Sequence, residues 1–103
     1  MIRHIVLFKW KADASEEAID RFVEAMSRFP SQNKDIQDWA TGKEIAPAVF
    51  GGGSFDYGLT CLLPDHAAVE RYRDHPYHLQ LAAMLPEVRG NIVVFDYNID
   101  GRA

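Results

Sequence analysis

Ile2-Arg3-His4-Ile5-Val6-Leu7-Phe8-Lys9-Trp10 is the stretch whose reading decides the fold. It is rich in β-branched and aromatic residues and too short for a core helix, so it reads as a strand. Alternation sends Ile2, His4, Val6, Phe8 and Trp10 to one face, and Arg3, Ile5, Leu7 and Lys9 to the other. The centre of the strand is apolar on both faces. An edge or half-exposed strand has no need of that.

Downstream, Ser15 followed by Glu16 and Glu17 is a helix start, with a hydroxyl for the free amides and acids at the positive end of the dipole. Ala18, Ile19, Phe22, Val23, Met26 and Phe29 form one buried stripe, and Pro30 stops the helix, which is expected over 15–29. Trp39, Gly42 and Ile45 suggest a second strand between 36 and 47, bent or bulged at Gly42. The glycines of 50–54 read as a flexible link rather than a phosphate cradle, because no strand-to-helix turn surrounds them.

Residues 55–63 form the third expected strand, with Tyr57, Leu59, Cys61 and Leu63 on one face. Asp65 caps a second helix whose inward stripe is Ala68, Val69 and Tyr72. Pro76 stops that helix and opens another over 77–85, where His78, Leu81, Ala82 and Leu85 share a face. Pro86 and Gly90 close it. The last strand, 91–97, again carries apolar residues on both faces: Ile92 and Val94 on one, Val93, Phe95 and Tyr97 on the other. Residues 98–103 read as a tail.

Strand, helix, two strands, broken helix, strand is the order of a split βαβ, ferredoxin-like α+β domain, here a single domain over 1–103. Helices cover only one face of its four-stranded antiparallel sheet. The first and last strands are apolar on both faces, so a second copy is expected on the other, giving a homodimer that closes as an α/β barrel through the sheet face. Four or five extra large side chains buried per subunit, at about 1.5–3 kcal/mol each, are a large share of a small domain's stability.

Composition narrows the partners. A net charge of −4 with scattered basic residues argues against nucleic acid. No apolar stretch reaches the length of a membrane span, and the first strand is too short and too charged at its flanks for a secretory signal, so the expectation is a cytoplasmic protein. Cys61 stands alone in an apolar run and reads as a small buried hydrophobe. His75 and His78 are three residues apart, but the intervening Pro76 and the lack of a nearby third ligand argue against a metal. No nicotinamide or flavin fingerprint is present, and no cofactor is expected.

The polar residues that remain can converge. His4 on the first strand, Tyr72 and His78 on the helical segment above it, and Tyr57 on the third strand surround a mostly apolar space lined by Val6, Phe8, Phe22, Leu59, Ile92 and Val94. Imidazole accepts a proton near neutral pH, and tyrosine donates to a developing enolate. The plainer reading is that His75 caps a helix end and His78 is a hydrogen-bonded, partly buried histidine.

The opening strand, the Trp39-Ala40-Thr41-Gly42 turn, His75-Pro76-Tyr77-His78 and the closing Val93-Val94-Phe95-Asp96-Tyr97 together resemble the stress-responsive α/β-barrel (Dabb) family. The resemblance runs from about residue 2 to 97 and implies a homodimeric barrel. Within that family the polar residues are distantly similar to those of olivetolic acid cyclase, which closes a linear polyketide by a cofactor-independent aldol reaction. That likeness implies catalytic roles for His4, Tyr72 and His78; where the cyclase has a further histidine, this chain has Tyr57. Two functions are therefore expected: a cofactor-independent enzyme or binder for a small aromatic or polyketide-like molecule, or a non-enzymatic, stress-associated assembly protein with architectural histidines.

Overall fold

In the computed structural model, which describes residues 1–100, β1 (Ile2–Trp10) has the expected alternation: Ile2, His4, Val6 and Phe8 are all buried. α1 (Glu16–Ser27) starts where the Ser15 hydroxyl accepts the Ala18 amide at 3.1 Å, and it buries Ala18, Phe22 and Met26. Pro30 does not simply end this helix. Its fixed φ suits the first turn of a new one, α2 (Phe29–Gln32), so Phe29 leaves the α1 stripe and becomes fully buried on α2.

β2 (Gln37–Lys43) corrects a second expectation. Its irregularity falls between Gln37 and Ala40, where Asp38 has a φ of 51°, and Gly42 pairs regularly with Gly58. Aspartate is among the few residues that tolerate the left-handed region, and the Arg3 guanidinium holds the Asp38 carboxylate at 3.0 Å. The glycine-rich link after this strand is not loose either. A Cβ at Gly52 would lie 1.9 Å from the Ala46 carbonyl oxygen, so the backbone there is packed against itself.

β3 (Tyr57–Leu63) leads to α3 (His66–Asp74), capped by the Asp65 carboxylate, which accepts the Ala68 amide at 2.8 Å. α4 (Pro76–Met84) comes directly after it, and β4 (Arg89–Asn98) begins two residues earlier than expected. Residues 98–100 are tied down rather than free. The Ile99 amide donates to the Met1 carbonyl at 3.1 Å, and Asp100 pairs with the terminal ammonium at 3.3 Å. The expected tail beyond them, 101–103, lies outside the described residues.

The four strands form one antiparallel sheet in the order β2-β3-β1-β4, the ferredoxin-like arrangement the element order implies. The core lies between the helices and the sheet face carrying Ile2, Val6, Phe8, Leu59, Cys61 and Leu63. On the opposite face Val93, Phe95 and Tyr97 stay 39%, 59% and 45% exposed, and no described element covers them. Val94, on the helix side of the edge strand β4, is also 57% exposed. The helices do not reach that edge, and a cavity opens there.

Candidate functional site

The cavity holds about 580 Å³, within the range of small-molecule sites, and lies between the helices and the β1–β4 half of the sheet. Val6 and Phe8 of β1, Leu59 of β3, and Ile92 and Val94 of β4 form its floor; Phe22, Met26, Val69, Leu81, Ala82 and Leu85 supply the helix side. His4, Tyr72, His78 and Asp96 supply a polar group on this apolar wall, and Arg73 and Arg89 add two cations.

The break between α3 and α4 places the histidines. Pro76 forces His75 out of the helix, and His75 then uses both ring nitrogens structurally. Nδ1 accepts the Tyr77 amide at 3.0 Å, so Nε2–H donates to the Gln32 carbonyl at 3.0 Å. His78, three residues on, turns back toward α3, and its Nδ1 lies 3.0 Å from the Arg73 carbonyl. A carbonyl only accepts, so Nδ1 carries the proton and the neutral ring presents a lone pair at Nε2. Burial lowers His78's affinity for a proton; the Arg73 carbonyl opposes this, and His4 and His75 reinforce it.

His4 is oriented in the same way by a residue that sequence reasoning missed. Its Nδ1 lies 2.5 Å from an Asp96 carboxylate oxygen, directly across the β1–β4 ladder. Its Nε2 is fully buried with no hydrogen-bond partner among the described residues. Asp96 was legible in principle, as a carboxylate alternating with Ile92 and Val94 on the face that pairs with His4. Tyr72 packs against both imidazoles, with ring centroids 4.6 Å from His4 and 5.2 Å from His78. Burial pushes its phenol well above the ordinary range, so it is a hydrogen-bond donor and not a base.

Phe29 anchors this end. Its ring lies 4.8 Å from Tyr72, 5.3 Å from His75, 5.9 Å from Tyr77 and 5.8 Å from His78. The Tyr77 hydroxyl donates to the Ala25 carbonyl at 2.6 Å, pinning α4 to α1.

Of the residues expected around the space, His4, Tyr72, His78, Val6, Phe8, Phe22, Leu59, Ile92 and Val94 all border the cavity. Tyr57 does not, which corrects the expected set. It pairs with Phe8 at the far end of β3, lies 6.0 Å from Trp10, and exchanges a hydrogen bond with Thr41 at 2.9 Å. No group of three or more His, Cys, Asp or Glu suited to a metal occurs among the described residues. Buried Cys61 has its thiol pushed up to about 12, mainly by desolvation, which suits the hydrophobe expected from its sequence setting. Among the described residues no helix is long and apolar enough to cross a membrane.

Known proteins with similar sequence or structure fit this picture. An uncharacterised protein of Streptomyces coelicolor is 29% identical over 99 residues, covering 94% of this chain and 98% of its own. A hydroxynitrile lyase from Passiflora edulis superposes with a TM-score of 0.83 at 23% identity, covering 99% of this chain and 95% of its own. A dimeric, ferredoxin-like protein of unknown function from Bacteroides fragilis superposes at 0.77 with 26% identity, covering 94% of each chain. Residues 2–99 match the family described as Stress responsive A/B Barrel Domain, and the chain belongs to that family.

Proposed function

We propose that this protein is a homodimeric, cofactor-independent enzyme that binds a small carbonyl compound in the cavity and performs acid–base chemistry on it, with the whole chain as one domain. The observation that carries this reading is the pair of imidazoles, each fixed through Nδ1, with no protein partner for Nε2 among the described residues. A purely architectural histidine has the pattern of His75, with both nitrogens engaged.

In the proposed reaction the Nε2 lone pair of neutral His78 takes a proton from carbon next to a carbonyl. The C–H electrons form the enolate, whose oxygen accepts the Tyr72 hydroxyl proton in a hydrogen bond. The enolate carbon adds to a second carbonyl, and the new alkoxide recovers the proton from His78. Atoms and electrons balance without an external oxidant or reductant. His4, held by Asp96, packs its ring against Tyr72 and so orients that donor. A hydroxynitrile lyase on the same fold is compatible with such chemistry, since adding to a carbonyl and its reversal need the same base and donor. The aromatic or polyketide-like ligand suggested by the sequence fits an apolar cavity of this size.

The assembly half of the proposal rests on the uncovered sheet face and on dimeric relatives of the same fold. The test is an NMR screen of aromatic acids, phenols and β-dicarbonyl compounds. Saturable shifts at His4, Tyr72 and His78 are expected, and His78→Ala should lose them with the fold intact. No shift at millimolar ligand, with the dimer intact, would favour the assembly protein with structural histidines.

A further inference from the structure

We infer that the ligand is an elongated amphipathic acid, with its carbonyl at the His4–Tyr72–His78 end and its anionic end bound by Arg89. This rests on the reading of the cavity as a ligand site and goes beyond it by naming the ligand class and its orientation.

Arg89 differs from the other arginines. Among the described residues Arg3, Arg21, Arg28, Arg71 and Arg73 each pair with a carboxylate, and Arg89 pairs with none. It is also on the cavity wall. Arg73 is there too, but Asp74 already takes two of its nitrogens, at 3.1 and 3.3 Å. An unpaired guanidinium beside an apolar cavity, in a chain of net charge −4, is a fork for a carboxylate or phosphate oxygen pair.

Position fixes the orientation. Asp96 pairs across the ladder with His4, and Arg89 pairs with Trp10 at the other end of β1. At about 3.3 Å per residue the backbone separation is roughly 20 Å, shortened by the reach of the arginine side chain. Val6, Phe8, Ile92 and Val94 lie between. The wall is thus polarised: at the imidazole end Asp96 is held by His4 and Arg73 by Asp74, so no free cation stands there, whereas Arg89 at the other end is unpaired among the described residues. A ligand with a reactive carbonyl, an apolar middle and a distant anionic group matches it in charge and length.

Decanoate, decan-1-ol and hexanoate test this on the intact protein by NMR titration. Decanoate should shift the Arg89 and Trp10 side-chain signals together with those of His4 and His78. It should bind about tenfold or more tightly than decan-1-ol, the usual advantage of a charge-assisted hydrogen bond. Hexanoate, too short to bridge, should perturb one end only. Arg89→Ala should bring decanoate down to decan-1-ol while leaving decan-1-ol unchanged, and Arg89→Lys should keep part of the preference. Equal binding of acid and alcohol to the native protein, or an acid preference that survives Arg89→Ala, overturns the inference but leaves the cavity reading standing. Failure of all three to bind, while the aromatic and β-dicarbonyl compounds still shift His78, overturns the inference alone; failure of both sets overturns the cavity reading as well.

Discussion

At the scale of single residues, His78 has the clearest signature, because its proton affinity is set by its surroundings. Burial lowers its pKa from the ordinary 6.5, so the folded state favours the neutral ring. The unfolded chain then binds more protons than the folded one between the ordinary and the lowered value. Stability from this residue is therefore full above about 6.5 and is lost as pH falls through that window. An NMR titration should find His78 titrating below an exposed histidine, and ligand binding that needs its lone pair should persist to the same lower pH. A normal or raised value would remove the argument for a free base. His4 gives a second prediction. Asp96→Ala leaves a buried imidazole with both nitrogens unpaired, and urea denaturation should register a loss of about 1–3 kcal/mol. Asp96→Asn should lose less, because its amide oxygen still accepts from Nδ1. The sequence marked His4, Tyr72 and His78 through residue type and face. It did not mark Asp96 as a partner, because the contact joins residues 92 positions apart and depends on strand register. Tyr57 was misplaced for a related reason. Alternation assigns a face correctly but not a position along it, and Tyr57 sits four residues down β3 from the partner of His4.

At the scale of elements, two prolines show how far local rules reach. Pro30 and Pro76 each occupy the first turn of a new helix, and only the second was read that way. The difference lies in the length of helix each proline opens. The nine residues of α4 carry a visible pattern, and the four of α2 carry none. The bend in β2 was equally hidden. Glycine is the usual marker of a left-handed residue, yet the fold uses Asp38 and leaves Gly42 in a regular pair. Phe29, freed from α1, becomes the aromatic contact shared by Tyr72 of α3 and by Tyr77 and His78 of α4. Phe29→Leu should therefore destabilise by about 1–3 kcal/mol and also broaden the His78 and Tyr72 signals, since both rings lose the face they rest on. A purely local packing role predicts the stability loss with sharp, unmoved His78 resonances. Denaturation and ¹H–¹³C spectra of the aromatic rings separate the two.

At the scale of the whole molecule, element order and the two-sided apolarity of β1 were enough to read the sheet and its helix layer. The cavity was not legible to the same degree, because it arises from the helices stopping short of β4, and no local pattern encodes a missing contact. The uncovered face leads to the last prediction. β2 and β4 are the sheet edges; β2 runs in the direction of β1 and β4 against it. Two such sheets packed face to face, about a twofold axis parallel to the strands, bring β2 of one copy antiparallel beside β4 of the other. That arrangement closes both open edges and covers Val93, Phe95 and Tyr97 at once. Phe95→Glu puts a charge in the middle of this surface without touching the helix-side core, so it should yield a folded monomer by light scattering at micromolar concentration. The outward-pointing amides of β4 should be protected from exchange in the native protein and unprotected in the variant. If Phe95→Glu remains a dimer with those amides still protected, the copies meet elsewhere, and the apolar face must be covered by something other than this chain.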